Sequence, residues 1–313
     1  MKIFPKYLYV ILTLLFLLPA VFILGTCRKN KQANEVSGPV IEEPISKREV
    51  KAVGYKYDEK KLTYELVWSD EFNYTGLPDS GKWENESGGN GWGNNELQYY
   101  TKSDNVYVDG DKMVITAKLE KFGGREVTSA RIRTAKKGDW LYGKVEVCAK
   151  VPTGLGTWPG IWMLPTDWKY GGWPTSGEID IMEHVGYNPD ALVMSIHTES
   201  FNHVKQTQKS KSVKKTGMTD NFHVYAVEWL PDKIKFFYDG ELQYTYNPVM
   251  LKDSPTYKEW PFDRRFHLLI NLAFGGNWGG ARGVNYDILP VKYEIDYVRV
   301  YQSPEINALI NKP

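Results

Sequence analysis

Cysteine is nearly absent, with two in 313 residues. That rules out a disulfide framework, and neither Cys27 nor Cys148 sits in a Cys/His cluster with zinc spacing. Cys148, inside the strand-like run Lys144-Val-Glu-Val-Cys-Ala-Lys-Val151, reads as a small buried hydrophobe. Net charge is lacking too: 39 Lys and Arg stand against 38 Asp and Glu, for +1. The basic residues are scattered, and the stretch from Lys205 to Lys215 reads as a solvated loop or hairpin. No nucleic-acid partner is expected. There is no internal repeat, and no segment carries the period of a long amphipathic helix. A helical bundle and a solenoid are thereby excluded.

Aromatic residues are plentiful: 11 Trp, 21 Tyr and 12 Phe. Many adjoin Gly or Asn, which suits rings exposed for stacking on sugars as well as rings of an aromatic-rich core. Short strand-like runs with turn signals occur at 62–68, 112–120, 128–134, 142–151, 159–164, 178–184, 192–198, 222–230, 233–238, 241–246, 266–273 and 291–301. Asp239-Gly240 marks a tight hairpin. About a dozen strands in one stretch predict an all-β fold, a jelly-roll β-sandwich of two curved antiparallel sheets with a concave substrate cleft.

The N-terminus is organised differently. Lys2 and Lys6 precede an uncharged run from Tyr7 to Leu24. It has the length of a membrane anchor. Leu24-Gly-Thr-Cys27 is similar to a lipoprotein cleavage box, which would make Cys27 the lipidated residue. Thr26 departs from the usual small residue there, and Arg28, Lys29 and Lys31 favour an uncleaved anchor instead. Either way, the expectation is an exported protein tethered to a membrane at a bacterial cell surface or in the periplasm. Residues 1–27 are read as the signal or anchor segment and 28–60 as a flexible polar tether. Residues 61–313 are read as one domain, expected to be a monomer.

The densest chemical signal is Glu178-Ile-Asp-Ile-Met-Glu183, three carboxylates in six residues. Alternating isoleucines favour a strand, on which Glu178 and Asp180 share a face. Strict alternation would turn Glu183 away; a β-bulge near Met182 would bring it back. A merely solvated acidic face and a calcium site both compete as explanations. A catalytic set explains more. Retaining glycosidases need two carboxyl groups about 5–5.5 Å apart, one as nucleophile and one as acid and base. A third acid between them would push their pKa values apart.

These residues, with their flanks, resemble glycoside hydrolase family 16 in its bulged form, the laminarinase-like branch of endo-β-1,3-glucanases. The blocks that carry the resemblance run in order: Leu66-Val-Trp-Ser-Asp-Glu-Phe72, Trp92-Gly-Asn-Asn-Glu-Leu-Gln-Tyr-Tyr-Thr101, Thr128-Ser-Ala-Arg-Ile-Arg133, Gly156-Thr-Trp-Pro-Gly-Ile-Trp-Met-Leu164, Asn271-Leu-Ala-Phe-Gly-Gly-Asn-Trp278 and Glu294-Ile-Asp-Tyr-Val-Arg-Val-Tyr301. The resemblance implies Glu178 as nucleophile, Glu183 as general acid/base and Asp180 as the assisting acid. It implies Trp158, Trp162, Trp173 and Trp278 as sugar platforms and Asn95 on the glucan-binding edge. Arg131 would bond sugar hydroxyls or hold a catalytic carboxylate, unless it forms a structural ion pair. His197 would bond the aglycone or Glu183. No cofactor is required for such chemistry. A structural calcium ion would fall to Glu71, the Gly110 carbonyl and Asp296, unless these acids pair with basic neighbours. The expected partner is a β-glucan, hydrolysed with retention. Alternatives are mixed-linkage β-1,3-1,4-glucan, another β-linked polysaccharide, or a non-catalytic glycan-binding surface lipoprotein. The unbulged five-residue signature of the lichenase and xyloglucan branch is absent.

Overall fold

Alternation along the strands decides which residues meet between two sheets and which face outward. The computed structural model describes residues 55–251 and 254–311. Its strands are, in chain order, β1 (Glu65–Asp70), β2 (Thr75–Gly76), β3 (Glu84–Glu86), β4 (Gln98–Tyr100), β5 (Val106–Asp109), β6 (Met113–Phe122), β7 (Arg125–Ser129), β8 (Arg131–Arg133), β9 (Asp139–Trp140), β10 (Gly143–Lys150), β11 (Thr157–Pro165), β12 (Glu178–Glu183), β13 (Ala191–His197), β14 (Lys209–Lys214), β15 (His223–Trp229), β16 (Ile234–Tyr238), β17 (Glu241–Tyr246), β18 (Phe266–Phe274) and β19 (Val291–Gln302). Two short helices follow late in the chain, α1 (Gly276–Gly279) and α2 (Pro304–Ile310).

The back sheet runs β17-β16-β15-β10-β19-β6-β5-β2, with β1 also on β19 and β7 on β6. The cleft sheet runs β14-β13-β12-β11-β18-β8-β3, with β9 on β18. Pairing is antiparallel throughout except between β4 and β7, which run parallel. The fold is therefore the expected all-β sandwich. Between the sheets lie Val145 and Val147 of β10, Val298 and Val300 of β19, Ile161 and Met163 of β11, and Leu268, Ile270 and Leu272 of β18, all buried in one core. Each such side chain contributes about 1.5–3 kcal/mol by leaving water. Cys148 is a buried free thiol, as expected, and burial together with Asp296 pushes its pKa up to about 12.

Four differences from the sequence reading have physical causes. β2, β3, β4, β5 and β9 were not foreseen; each is four residues or shorter, and all but β5, which forms a hairpin with β6, exist because distant partners pair with them. Lys209–Lys214, absent from the strand candidates, is an edge strand of the cleft sheet paired antiparallel with β13, so the hairpin alternative for this stretch is the one seen, and its lysines suit an unpaired rim. The domain begins before residue 61. Tyr57 packs against the core and bonds Asp232, and Glu59 pairs with Lys233 and Lys235. The fourth concerns calcium. Both oxygens of Glu71 are taken by Arg299, at 2.9 and 2.7 Å, and Asp296 bonds Cys148. The ion-pair alternative is the one seen for Glu71, and this arrangement does not fit a cation. Among the described residues, no helix is long and apolar enough to cross a membrane. Cys27 and residues 1–54 lie outside the described residues.

Candidate active site

The bulge lies where the acids require it. On β12, Asp180 pairs with Ser195 and Glu183 with Val193, three residues against two. Against β11, Gly160 faces Glu183, Ile161 faces Met182 and Trp162 faces Asp180. Ile181 and Met182, consecutive in sequence, both join the core. The extra residue is absorbed there, and Glu178, Asp180 and Glu183 all line one cavity on the opposite face. Gly177 enters this strand at φ +91°, a conformation that favours glycine.

The neighbouring strands furnish the walls. On β11, Trp158 and Trp162 flank Gly160, on the face opposite Ile161 and Met163. A Cβ at Gly160 would sit 3.0 Å from Asn271 Oδ1 and 3.2 Å from the Trp162 ring. Glycine there keeps the floor open. Trp158 Nε1 donates to Glu183 at 3.2 Å, and Trp162 Nε1 donates to Asn271 at 2.7 Å. Trp173 Nε1 donates to Glu178. Trp278, on α1, meets Trp158 edge to face at 5.5 Å. Trp158 and Trp173 thus each bond one of the acids, Trp278 packs on Trp158, and Trp162 bonds Asn271.

Three further residues have partners that decide between the alternatives open for them. His197 Nε2 faces Asp180 Oδ2 at 3.2 Å, not Glu183; opposite Glu178 in the register, it reaches the middle acid. Arg131 holds no catalytic carboxylate. It pairs with Glu86 and lies 4.6 Å from the rings of both Trp92 and Trp162, a guanidinium between two indoles at the cavity wall. Asn95 donates to Asn277 at 2.9 Å and so ties two loops, while its neighbour Asn94 lines the cavity. The sequence reading passed over Asn94 and Glu96. Glu96 is buried and accepts from Gln98 Nε2 at 2.6 Å and Tyr100 Oη at 3.0 Å. Its signal was a carboxylate inside an otherwise neutral loop motif.

The acids stand in different electrical settings. Burial raises the pKa of Glu183 well above the ordinary range, and Asp180 raises it further. Burial also raises Asp180, followed by the charge of Glu178 and a hydrogen bond to it. No Lys or Arg among the described residues forms a salt bridge with any of the three. Burial thus favours the protonated form of Glu183 and of Asp180, the latter bonded to Glu178. One carboxyl is held as an acid, and another receives an indole N–H and a shared proton. That is the division of labour that displacement at a glycosidic carbon needs. The acids lie where two lobes of a groove meet. One is walled by Trp92, Arg131, Trp162 and Asn271. The other, about 440 Å³, is walled by Ser195, His203, Gln208, Ser210, Asn277 and Trp278.

A sandwich with this acidic strand across an open groove defines a polysaccharide-cleaving glycoside hydrolase. The chain belongs to glycosyl hydrolases family 16, whose profile matches residues 93–299. It is 48% identical over 255 residues to a β-glucanase of Rhodothermus marinus, spanning 80% of this chain and 89% of that protein. The laminarinase structure from Rhodothermus marinus superposes with a TM-score of 0.76, covering 78% of this chain and 99% of that one at 48% identity. SCLam, a non-specific endo-β-1,3(4)-glucanase, gives a TM-score of 0.72 at 41% identity, covering 76% of this chain and 91% of that one. The laminarinase of Flavobacterium sp. UMI-01 gives 0.70 at 42% identity, covering 76% and 100%.

Proposed function

We propose that the protein hydrolyses β-1,3-glucan internally, with retention, by a two-glutamate double displacement. The observation that carries this reading is the bulged β12, which turns three acids into one groove where, among the described residues, no Lys or Arg forms a salt bridge with them. Glu178 attacks the anomeric carbon while Glu183 gives its proton to the departing oxygen. Glu183, now a carboxylate, takes a proton from water, which releases the sugar from Glu178. Asp180 shifts its proton toward Glu178 as that carboxylate regains charge. No organic cofactor enters these steps.

The substrate class is supported by the similarity to laminarinases from two organisms. Mixed-linkage β-1,3-1,4-glucan is a second reading, favoured by the likeness to the non-specific SCLam. The test is incubation of purified protein with laminarin, mixed-linkage glucan and agarose, with products sized and their first-formed anomer read by NMR. A spread of β-configured oligosaccharides from laminarin is expected. Release from agarose alone would overturn the substrate assignment, and an α anomer the mechanism.

We also propose export and tethering through a lipid on Cys27, supported by the uncharged run that ends at Leu24-Gly-Thr-Cys27. A fatty-acid probe should label the wild type and not Cys27→Ser. Equal labelling, with Met1 retained, would point to an uncleaved anchor.

A further inference from the structure

Trp173 reaches Glu178 from a loop whose hydrogen bonds fix the backbone, with Thr175 N–H on the Gly172 carbonyl at 2.9 Å and Ser176 Oγ on the Gly171 carbonyl at 2.6 Å, but do not touch the indole. Gly171 and Gly172 precede the ring, and the side chain is 36% exposed. Its bracing comes from another segment. The His203 ring packs on the indole at 4.9 Å with a 35° tilt, and His197 lies at 6.0 Å. The two imidazoles meet edge to face at 5.2 Å. His197 in turn faces Asp180, and Asp180 bonds Glu178. The contacts close a ring around the nucleophile: Glu178, Trp173, His203, His197, Asp180 and back to Glu178.

His203 is itself firmly placed. The preceding Asn202 is buried. Its Nδ2 donates to the Thr198 carbonyl at 3.0 Å and the Glu199 carbonyl at 3.3 Å. Its Oδ1 accepts from Lys205 N–H at 3.1 Å, and its own N–H donates to Thr207 at 3.2 Å. These bonds lock residues 198–207 into a bracket with His203 at its tip. Burial, then the neighbouring His197, hold the His203 imidazole below its ordinary pKa, against a smaller opposing pull from Glu178. Burial therefore favours the uncharged form of the ring that packs on Trp173.

We propose that His203 is a positioning residue for the nucleophile: it braces the Trp173 indole so that its N–H stays on the Glu178 carboxylate. This rests on the reading of Glu178 as nucleophile. His203 also lines the 440 Å³ lobe, so a direct contact with the leaving portion of the polymer is the rival role. The two roles separate on a reagent that carries no leaving sugar. A dinitrophenyl 2-deoxy-2-fluoro-β-laminaribioside occupies only the donor side and labels the nucleophile. Bracing predicts that His203→Ala labels about tenfold more slowly than wild type, because a misaimed carboxylate attacks less often. His203→Phe keeps a flat ring and should label within about twofold of wild type. Trp173→Phe, which deletes the N–H, should slow labelling about as much as His203→Ala, and the double variant little further. Should His203→Ala fail to fold, His203→Leu, which fills the space without a flat ring, takes its place in the same comparisons with His203→Phe and Trp173→Phe. Unchanged labelling of His203→Ala with a raised KM on polymer would overturn the proposal in favour of the leaving-group role. Equal slowing in His203→Ala and His203→Phe would overturn it as well. A wild type that is not labelled on Glu178 and does not cleave β-1,3-glucan would instead defeat the reading of the reaction.

Discussion

The outward faces of the two sheets are built by the same alternation and carry carboxylates in opposite circumstances. On the back sheet, acids meet bases: Glu71 with Arg299, Glu146 with Lys144, Glu294 with Lys112 and Glu228 with Lys235. On the cleft sheet, Glu84 and Glu86 of the edge strand β3 still pair with Arg133 and Arg131, but on β12 Glu178, Asp180 and Glu183 meet one another, two indoles and an imidazole. The hydrogen bonds from Arg299 lower the pKa of Glu71 despite a partial desolvation cost. Burial raises those of Asp180 and Glu183. Like residues thus stand in unlike settings: charge pairing favours the ionised carboxylate on the back sheet, while burial among acids and rings favours the protonated form on β12.

The sharpest way to break that contrast is to remove the acids of the cleft. Glu178→Ser should abolish turnover of polymer. Glu183→Ala should lower polymer hydrolysis by about 10²–10⁴-fold while still forming the covalent intermediate from an activated aryl glycoside. Added azide should then release a β-azide product, read by NMR. A β-azide from Glu178→Ser and an α-azide from Glu183→Ala would show the two roles to be reversed. Next in size is the pH profile. Because burial raises the pKa of Glu183, the alkaline fall of kcat/KM should lie above the ordinary carboxylate range. With an activated aryl glycoside the same alkaline limb should disappear in Glu183→Ala.

Asp180→Asn should lower activity less than loss of either glutamate, since both reacting groups remain, and should stabilise the fold at neutral pH by about 1 kcal/mol. The sign follows from linkage. A carboxyl whose pKa is raised on folding costs nothing below its ordinary pKa, and its cost grows as pH rises through the folded value. Thermal melts from acid to neutral pH should show the variant gaining on wild type. Smallest is the matching change on the back sheet. Glu71 is lowered, so its stabilisation is present above the ordinary carboxylate pKa and is lost as pH falls through the folded one. Glu71→Gln should cost about 0.2–1 kcal/mol at neutral pH, nothing in strong acid, and no activity. A loss of activity there would mean that the two faces are coupled.

Much of the cleft sheet is legible in the residues because its message is local. β11, β12 and β18 alternate between core and groove: Trp158, Gly160 and Trp162 against Ile161 and Met163, Asn271 and Ala273 against Ile270 and Leu272. The bulge on β12 is legible as well, because three acids in six residues can share a face in no other register. The Asp239-Gly240 turn carries its own geometry, with φ of 49° and 79°. Gln98–Tyr100 and Glu84–Glu86 are different. Their strand character comes from Val127–Ser129 and Arg131–Arg133, tens of residues away, and short polar segments carry no period that reveals it.

The order of elements, the all-β class, the identity of the acidic strand and its need for a bulge follow from residue types and their spacing, which propagate only a few positions along the chain. Partner choice does not. That Arg131 would lie between Trp92 and Trp162 rather than on a catalytic acid was decided when β8 and β11 came to flank β18. That His197 would serve Asp180 was decided by the pairing register of β13 with β12. Asn94 and Glu96 entered the groove, and His203 the neighbourhood of Trp173, through loops that only the packed sheets bring together. Hydrogen bonds and ring contacts act over a few ångströms of space, so the protonation and aim of the acids belong to the tertiary structure, while their number and chemistry were already written in the chain.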